Sequence, residues 1–365
     1  MASTASDDRS RTPIRQGIVP AYLLVRLAQS TRFPRAADAA RQTLTVGRPP
    51  LRARIDLSID ASGNLVAELS DAPARTISDA RNTEDLPGAP VRREDDGPVA
   101  DQAVNEAYDG LGATFEMLLS AFGRNSLDDA GAALDATVHF GVDYDNAFWD
   151  GERMVFGDGD GEVFLGFTGS VSVIGHELGH GVIQSTAGLE YEGQSGALNE
   201  SMADVFGALT EQYLADQTAE RATWLIGAGI FTEEVEGRAL RSMIEPGTAY
   251  DDDQLGRDPQ PGHMRDYVET SEDNGGVHIN SGIPNRAFAL TAIELGGRAW
   301  ERAGAVWYGA LTGGLSATAT FADFAAATTS VAGAQYGEDS DVVAAVRRAW
   351  AAVGVTTDAR RGSID

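Results

Sequence analysis

The sequence predicts an α+β protein in two parts, a β-rich half followed by an α-helical half. Three features carry that expectation. Through about residues 52–167 apolar residues sit at strand-like spacing, as in Ile55, Leu57, Ile59 and Leu65, Val66, Leu69, with turn signals between them. After Ser170 the apolar period becomes helical. The chain has 365 residues, 42% of them hydrophobic, which is enough for two domain cores and an appended segment.

Taken in order, residues 1–50 are rich in Arg and Ala, carry a predicted helix over 22–40 and end at a Pro49-Pro50 break. The first half, 51–190, is punctuated by turns such as Ser62-Gly63-Asn64 and Gly157-Asp158-Gly159-Asp160-Gly161. One helix over 98–122 interrupts it, with Val104, Ala107, Leu111, Phe115 and Leu118 at helical spacing. Another, 173–186, closes it. The second half, 191–365, holds predicted helices at 199–215, 283–295, 303–311, 321–331 and 341–353. Between them, 233–276 has few periodic segments, and a loop of that length in a compact domain usually has a function.

Fifty-five acids against 28 bases give a formal charge of -27, and every base is Arg because the chain contains no Lys. Such a balance argues against a nucleic-acid partner and reads as a solvated surface. Cysteine is absent, so any metal must sit on His and carboxylate. No stretch reaches the roughly 20 apolar residues a membrane-spanning helix needs. The N-terminus carries Asp7 and Asp8, and its one apolar run, 18–25, is broken by Pro20, so no ordinary secretory signal is read there.

The first chemistry-bearing motif is His176-Glu177-Leu178-Gly179-His180. Residues four apart share a helix face, so both imidazoles can address one ion while Glu177 reaches the attacking water. Gly175, Gly179 and Gly181 each weaken a helix by roughly 1 kcal/mol against Ala, so packing or metal must hold this one; glycine also admits a neighbouring chain closely. A catalytic zinc takes three protein ligands, and Glu200, read as opening the next helix, is the candidate third. Alone, Glu200 reads as an acid favoured at a helix N-terminus; its spacing after the histidine pair selects the ligand role. Asp204, four residues on, is suited to accept a hydrogen bond from the outer nitrogen of a ligating histidine.

Together with the His176–His180 motif, four further spaced segments resemble the thermolysin family of zinc neutral metalloproteases over about residues 75–355. Gly196-Ala197-Leu198-Asn199-Glu200-Ser201-Met202-Ala203-Asp204 is similar to its third-ligand helix, and Asp273-Asn274-Gly275-Gly276-Val277-His278 to the segment bearing its transition-state histidine. Asp145-Asn146-Ala147-Phe148-Trp149 resembles its substrate-binding edge strand, and residues 154–161 its glycine-aspartate turn. Ile18-Val19-Pro20-Ala21-Tyr22-Leu23-Leu24 resembles the proline-tyrosine motif of the short propeptides in the protealysin-like branch, with Ala21 for the usual second proline.

The resemblance implies a two-domain metallopeptidase with the active-site cleft between the halves, one catalytic Zn2+ on His176, His180 and Glu200, and Glu177 as general base. It implies that His278, oriented by Asp273, and Tyr191 stabilise the oxyanion; that Arg241 binds a substrate carbonyl; and that Asn146 and Ala147 align the peptide. It implies a pocket after the scissile bond lined by Phe164, Phe167, Val173, Ile226, Ile230 and Leu240, with Phe167 bulkier than the aliphatic residue expected there. The partners implied are protein or peptide substrates and the chain's own propeptide, residues 1–50. Secretion is implied too, though without an ordinary signal peptide a cytoplasmic zymogen or a non-classical export route stays open. The family's paired calcium site reduces here to Glu211, with Ser172, Thr223, Leu225, Ala228 and Gly229 where acids are expected, and Arg238 stands for an Asp in a second calcium loop. Calcium dependence is therefore expected to be weak or absent. A zinc aminopeptidase, which shares the first motif but grips a free amine through a motif not found here, and a binding protein with a dead site are the alternatives.

Overall fold

The computed structural model describes residues 17–46, 58–59, 65–66 and 72–356. The Pro49-Pro50 break, Ile55, Leu57, the Ser62-Gly63-Asn64 turn and Leu69 lie outside them. Two short helices come first, α1 (Ala21–Leu27) and α2 (Pro34–Thr45). The sequence predicted one continuous helix here; Pro34, which has no N–H to give and fits a first helical turn, starts a second one instead. A two-residue pair, β1 (Ser58–Ile59) with β2 (Leu65–Val66), follows.

The main sheet comprises β3 (Arg75–Asp79), β4 (Ala89–Arg93), β5 (Leu134–Val138), β6 (Ala147–Trp149) and β7 (Arg153–Phe156), in the order β4-β3-β5-β7-β6. The central pairs β3–β5 and β5–β7 are parallel and the outer pairs antiparallel, which leaves β6 at an edge of the sheet with no further strand of the sheet beside it. Helix α3 (Gln102–Phe122) crosses between β4 and β5. The Asp101 side chain caps its first turn by accepting from the Ala103 and Val104 N–H groups, and Gly123, at φ 66°, ends it. Val104, Ala107, Leu111, Phe115 and Leu118 are all buried, as their spacing required.

Helices α4 (Val171–Gln184) and α5 (Gly193–Leu214) form the spine of the molecule. Their crossing explains the glycines that propensity alone disfavours. A Cβ on Gly207 would fall 2.4 Å from the Ser172 carbonyl oxygen, and one on Gly179 would fall 3.0 Å from the Ala203 Cα. Without those methyl groups the two backbones touch, and residues 176–180 meet residues 200–204. Two short ladders follow, β8 (Leu225–Ile226) with β9 (Arg241–Ser242) and β10 (Asp251–Asp252) with β11 (Gly256–Arg257). The remainder is helical: α6 (Asp273–Asn280), α7 (Gly282–Leu295), α8 (Ala305–Thr312), α9 (Phe321–Tyr336) and α10 (Asp341–Ala352), packed around Phe288, Trp307, Phe324 and Trp350. No helix among the described residues is long and apolar enough to cross a membrane.

The two histidines without a predicted chemical role are structural in their contacts. His139 bridges Asp158 (2.8 Å) and Asp101 (2.9 Å), tying the end of β5 to the start of α3. His263 accepts from the Arg265 N–H and lies against Gly354.

Candidate active site

Helix α4 supplies His176, Glu177 and His180, and α5 supplies Glu200 and Asp204. Glu200 does not open α5, as the sequence suggested. The helix begins at Gly193, about two turns earlier, so the macrodipole has little to do with Glu200. The earlier start shows in Gly196, where a Cβ would meet Val277 at 2.4 Å: the first turns are held by packing on α6.

His176 Nε2 and His180 Nε2 lie 3.2 Å apart, and the Glu200 carboxylate is 3.6 Å from the first and 3.5 Å from the second. Each outer nitrogen faces an acceptor: His176 Nδ1 is 2.7 Å from Asp204 Oδ1, and His180 Nδ1 is 2.8 Å from Asn199 Oδ1. Those acceptors hold the ring protons on Nδ1 and turn two Nε2 lone pairs toward each other. Burial pushes the His180 pKa down to about 4, so its ring is neutral. Glu200 Oε2 is buried without a hydrogen-bond partner. Two facing lone pairs and an orphaned carboxylate oxygen are mutually repulsive unless a cation sits among them, so these residues fit a metal ion. They are the one such group among the described residues.

Around this centre the charges are compensated in layers. Burial raises the Glu200 pKa, but His278, His176, His180 and Arg241 outweigh it and hold the group at about 2. Asp204, fully buried, accepts from Arg241 Nε (2.9 Å) and Nη2 (2.8 Å) and from Asn285 Nδ2 (2.7 Å) as well as facing His176. Burial disfavours its charge, yet Arg241 and His176 keep it far below the usual carboxylate range.

On the opposite wall, residues 273–276 take φ values of 52°, 51°, 81° and 76°, a left-handed turn that Asp, Asn and Gly tolerate best. The turn brings Asp273 back onto His278, with Oδ1 2.6 Å from Nδ1 and Oδ2 accepting from the backbone N–H at 2.9 Å. Burial lowers the His278 pKa, but Glu200 and Asp273 raise it to about 9. The Tyr191 hydroxyl donates to Glu200 and lies 3.2 Å from His278 Nε2. Glu177, buried beside these groups, accepts from the Trp149 N–H at 2.8 Å, which fixes it to the end of β6.

Asn146, Ala147 and Arg241 are already engaged, by the N-terminal segment. Ile18 N donates to Ala147 O (3.1 Å) and Arg241 Nη1 donates to Ile18 O (3.0 Å). Val19 N donates to Asn146 Oδ1 (2.9 Å), and Asn146 Nδ2 donates to Val19 O (3.1 Å). Two consecutive residues thus have every backbone polar group satisfied, one by the outer edge of β6 and three by the Asn146 and Arg241 side chains. The Ile18 side chain is fully buried, within the core that includes Phe164, Phe167, Val173, Ile226, Ile230 and Leu240. Behind it, α2 docks by its N-terminus: Glu162 accepts from the Arg35 and Ala36 N–H groups at 2.9 and 3.0 Å, and Arg35 pairs with Asp143 at 2.7 Å. The 233–276 stretch also meets this segment, through Gln254 on Arg26 and Ser30, and through Glu234 on Arg32.

Sequence reasoning missed Asn199, Asn285 and the Trp149 N–H. Asn199 adjoins Glu200 in a motif already singled out, so that signal was available; Asn285, 81 residues from Asp204, gives none. Of the expected calcium positions, Thr223 donates to Glu211 at 3.5 Å, Ser172 accepts from the Gly227 N–H, and Arg238 bonds Thr248.

Comparison with known proteins agrees with this geometry. Residues 55–184 match the model of the thermolysin metallopeptidase catalytic domain, and 187–355 that of the thermolysin metallopeptidase α-helical domain. An extracellular metalloprotease of Pectobacterium carotovorum subsp. carotovorum is 52% identical over 77% of this chain and 81% of its own. Protease PrtS of a Photorhabdus species is 46% identical over 93% of this chain and 92% of its own. The solved structure of the precursor of protealysin, a metalloproteinase from Serratia proteamaculans, superposes with a TM-score of 0.84 at 47% identity, covering 94% of this chain and all of that one. Catalytic-domain and helical-domain matches thus follow one another along a chain whose two central helices converge on a metal site, and the protein belongs to the thermolysin family of zinc metallopeptidases.

Proposed function

We propose that this chain is a zymogen whose mature form cuts peptide bonds on the N-terminal side of large hydrophobic residues, and that the segment ahead of about residue 50 is removed by the enzyme's own active site. The observation that supports this best is the set of bonds from Ile18 and Val19 to Asn146, Ala147 and Arg241, because it satisfies the backbone of two consecutive residues while the Ile18 side chain is fully buried. A substrate takes the same contacts once the segment leaves. Arg241 and Asn146 hold its backbone, and Glu177 receives the proton of the attacking water and passes it to the leaving amine. Tyr191 and His278 donate to the oxyanion, a contribution of roughly 3 kcal/mol per donor. Zinc on His176, His180 and Glu200 supplies Lewis-acid activation when bound. The names of the relatives favour secretion, and the family matches favour a domain division near residue 190.

Burying a Leu or Phe side chain among Phe164, Phe167, Val173, Ile226, Ile230 and Leu240 is worth roughly 1.5 to 3 kcal/mol. The cleavage profile of a peptide library is therefore expected to be dominated by Leu, Phe and Ile after the cut bond. A profile rich in charged residues or Gly there would refute the lining.

We also propose that no tight calcium site is retained. Calcium needs six to eight oxygen ligands, mostly charged, whereas Glu211 has hydroxyl neighbours and burial pushes its carboxyl up, toward the neutral form. Thermal unfolding of zinc-loaded Glu177→Ala protein is expected to be the same in millimolar calcium as with a calcium-selective chelator. A site at a thousandfold excess over its Kd adds roughly 4 kcal/mol, and the resulting shift of several degrees would overturn this.

A further inference from the structure

The described residues ahead of α1, 17–20, reach the cleft. Val19 is bonded to the Asn146 side chain and Ile18 N to Ala147 O, an order in which each further step toward the N-terminus would be a step toward Trp149, whose N–H is held by Glu177. One more residue in that register would set Gly17 against Phe148 and lay the Gly17–Ile18 bond toward the catalytic carboxylate. The chain does not take that step. It bends through residues 17–19, and Gly17 folds back over the two residues that hold its successors. A Cβ built on it would lie 2.9 Å from both amide atoms of the Asn146 side chain and 3.0 Å from Ala147 O. Real Cβ atoms essentially never come within 3.0 Å of another heavy atom in this way, so only a residue without a side chain can fold back here unless Asn146 gives way. Asn146 is not free to yield, since both its amide atoms are bonded to Val19.

We propose that Gly17 makes this segment an inhibitor of the active site instead of its substrate; the inference rests on the endopeptidase reading above. A side chain at position 17 closes the fold-back, and the path that keeps the Ile18 and Val19 contacts then runs along β6 past Glu177. There the 17–18 bond is cut: one water is consumed, the C–N bond breaks, the oxygen stays on the carboxylate of residue 17, and the proton goes to the amine of Ile18. Ile18 is itself a large apolar residue following the bond, so it already meets the specificity of the site.

The test follows the intact mass of full-length, zinc-loaded protein over time for the unaltered chain, Gly17→Val, Gly17→Ala, and Gly17→Val combined with Glu177→Ala, with casein hydrolysis measured alongside. The Val variant is expected to yield a chain beginning at Ile18 roughly tenfold or more faster than the unaltered protein. The Ala variant should fall between them, and the Glu177→Ala combination should yield none. Equal cutting of this bond in the unaltered protein overturns the proposal. So does maturation of both variants through other bonds only, with no chain beginning at Ile18. Casein hydrolysis separates the two readings: its presence without an Ile18 end sinks only this inference, and its absence throughout sinks the endopeptidase reading as well.

Discussion

Zinc-replete Glu177→Ala protein is expected to hydrolyse peptides on the order of a hundredfold or more slowly than the unaltered chain, and to remain full length on incubation. The metal ligands are untouched, so zinc content by elemental analysis should not change. Stability should fall, because the Trp149 N–H loses the buried acceptor it has at 2.8 Å, and an unsatisfied buried donor costs about 1–3 kcal/mol. Glu177→Gln separates the two effects. Its amide oxygen can still accept from Trp149 but cannot take a proton from water, so it should match Ala in lost activity and the unaltered chain in thermal midpoint. A zinc-loaded variant of either kind that kept more than about a tenth of the rate would remove Glu177 from the role of base.

Asp204→Ala, made in the inactive background to prevent self-digestion, should be the most destabilising single change at the site. It strips a fully buried Arg241 of its only ion-pair partner among the described residues, and leaves His176 Nδ1 and Asn285 Nδ2 without the carboxylate they face. Breaking a buried pair from one side costs about 3–5 kcal/mol, and losing the group that orients a metal-bound histidine weakens metal binding about 10- to 100-fold. Thermal unfolding and competitive zinc titration read these separately. Unchanged values in both would mean that Asp204 neither supports Arg241 nor fixes His176.

The sequence made the catalytic centre legible because its residues lie in short runs where spacing carries geometry. His176 and His180 share a helix face by their separation of four, and Asp273-Asn274-Gly275-Gly276 is a run of residues suited to the left-handed turn that returns Asp273 to His278. Legibility ended where contacts cross the chain. Nothing near Ile18 indicates that it lies on Ala147, or that Arg241 reaches its carbonyl, since those partners are more than a hundred residues away. The start of α5 was misjudged because its first turns, Gly193 to Gly196, have no apolar periodicity and are held by α6. The break between α1 and α2 had a local signal in Pro34, and the alanine-rich composition around it obscured that signal.

The docking of the N-terminal segment also sets how activation depends on concentration. Contacts at Ile18 and Val19, at Gln254, at Glu162 and at Asp143 are each modest, and while the chain is continuous they act together at an effective concentration in the millimolar range, as short tethers give. Once the tether is cut, the same contacts must hold at whatever concentration the protein has, and dilution alone lowers occupancy without weakening any bond. Two ties of the segment, Arg35 to Asp143 and Arg32 to Glu234, are ion pairs at the surface, so salt works in the same direction. Release after scission is therefore expected to depend on the concentration and salt of the surroundings as much as on the protein.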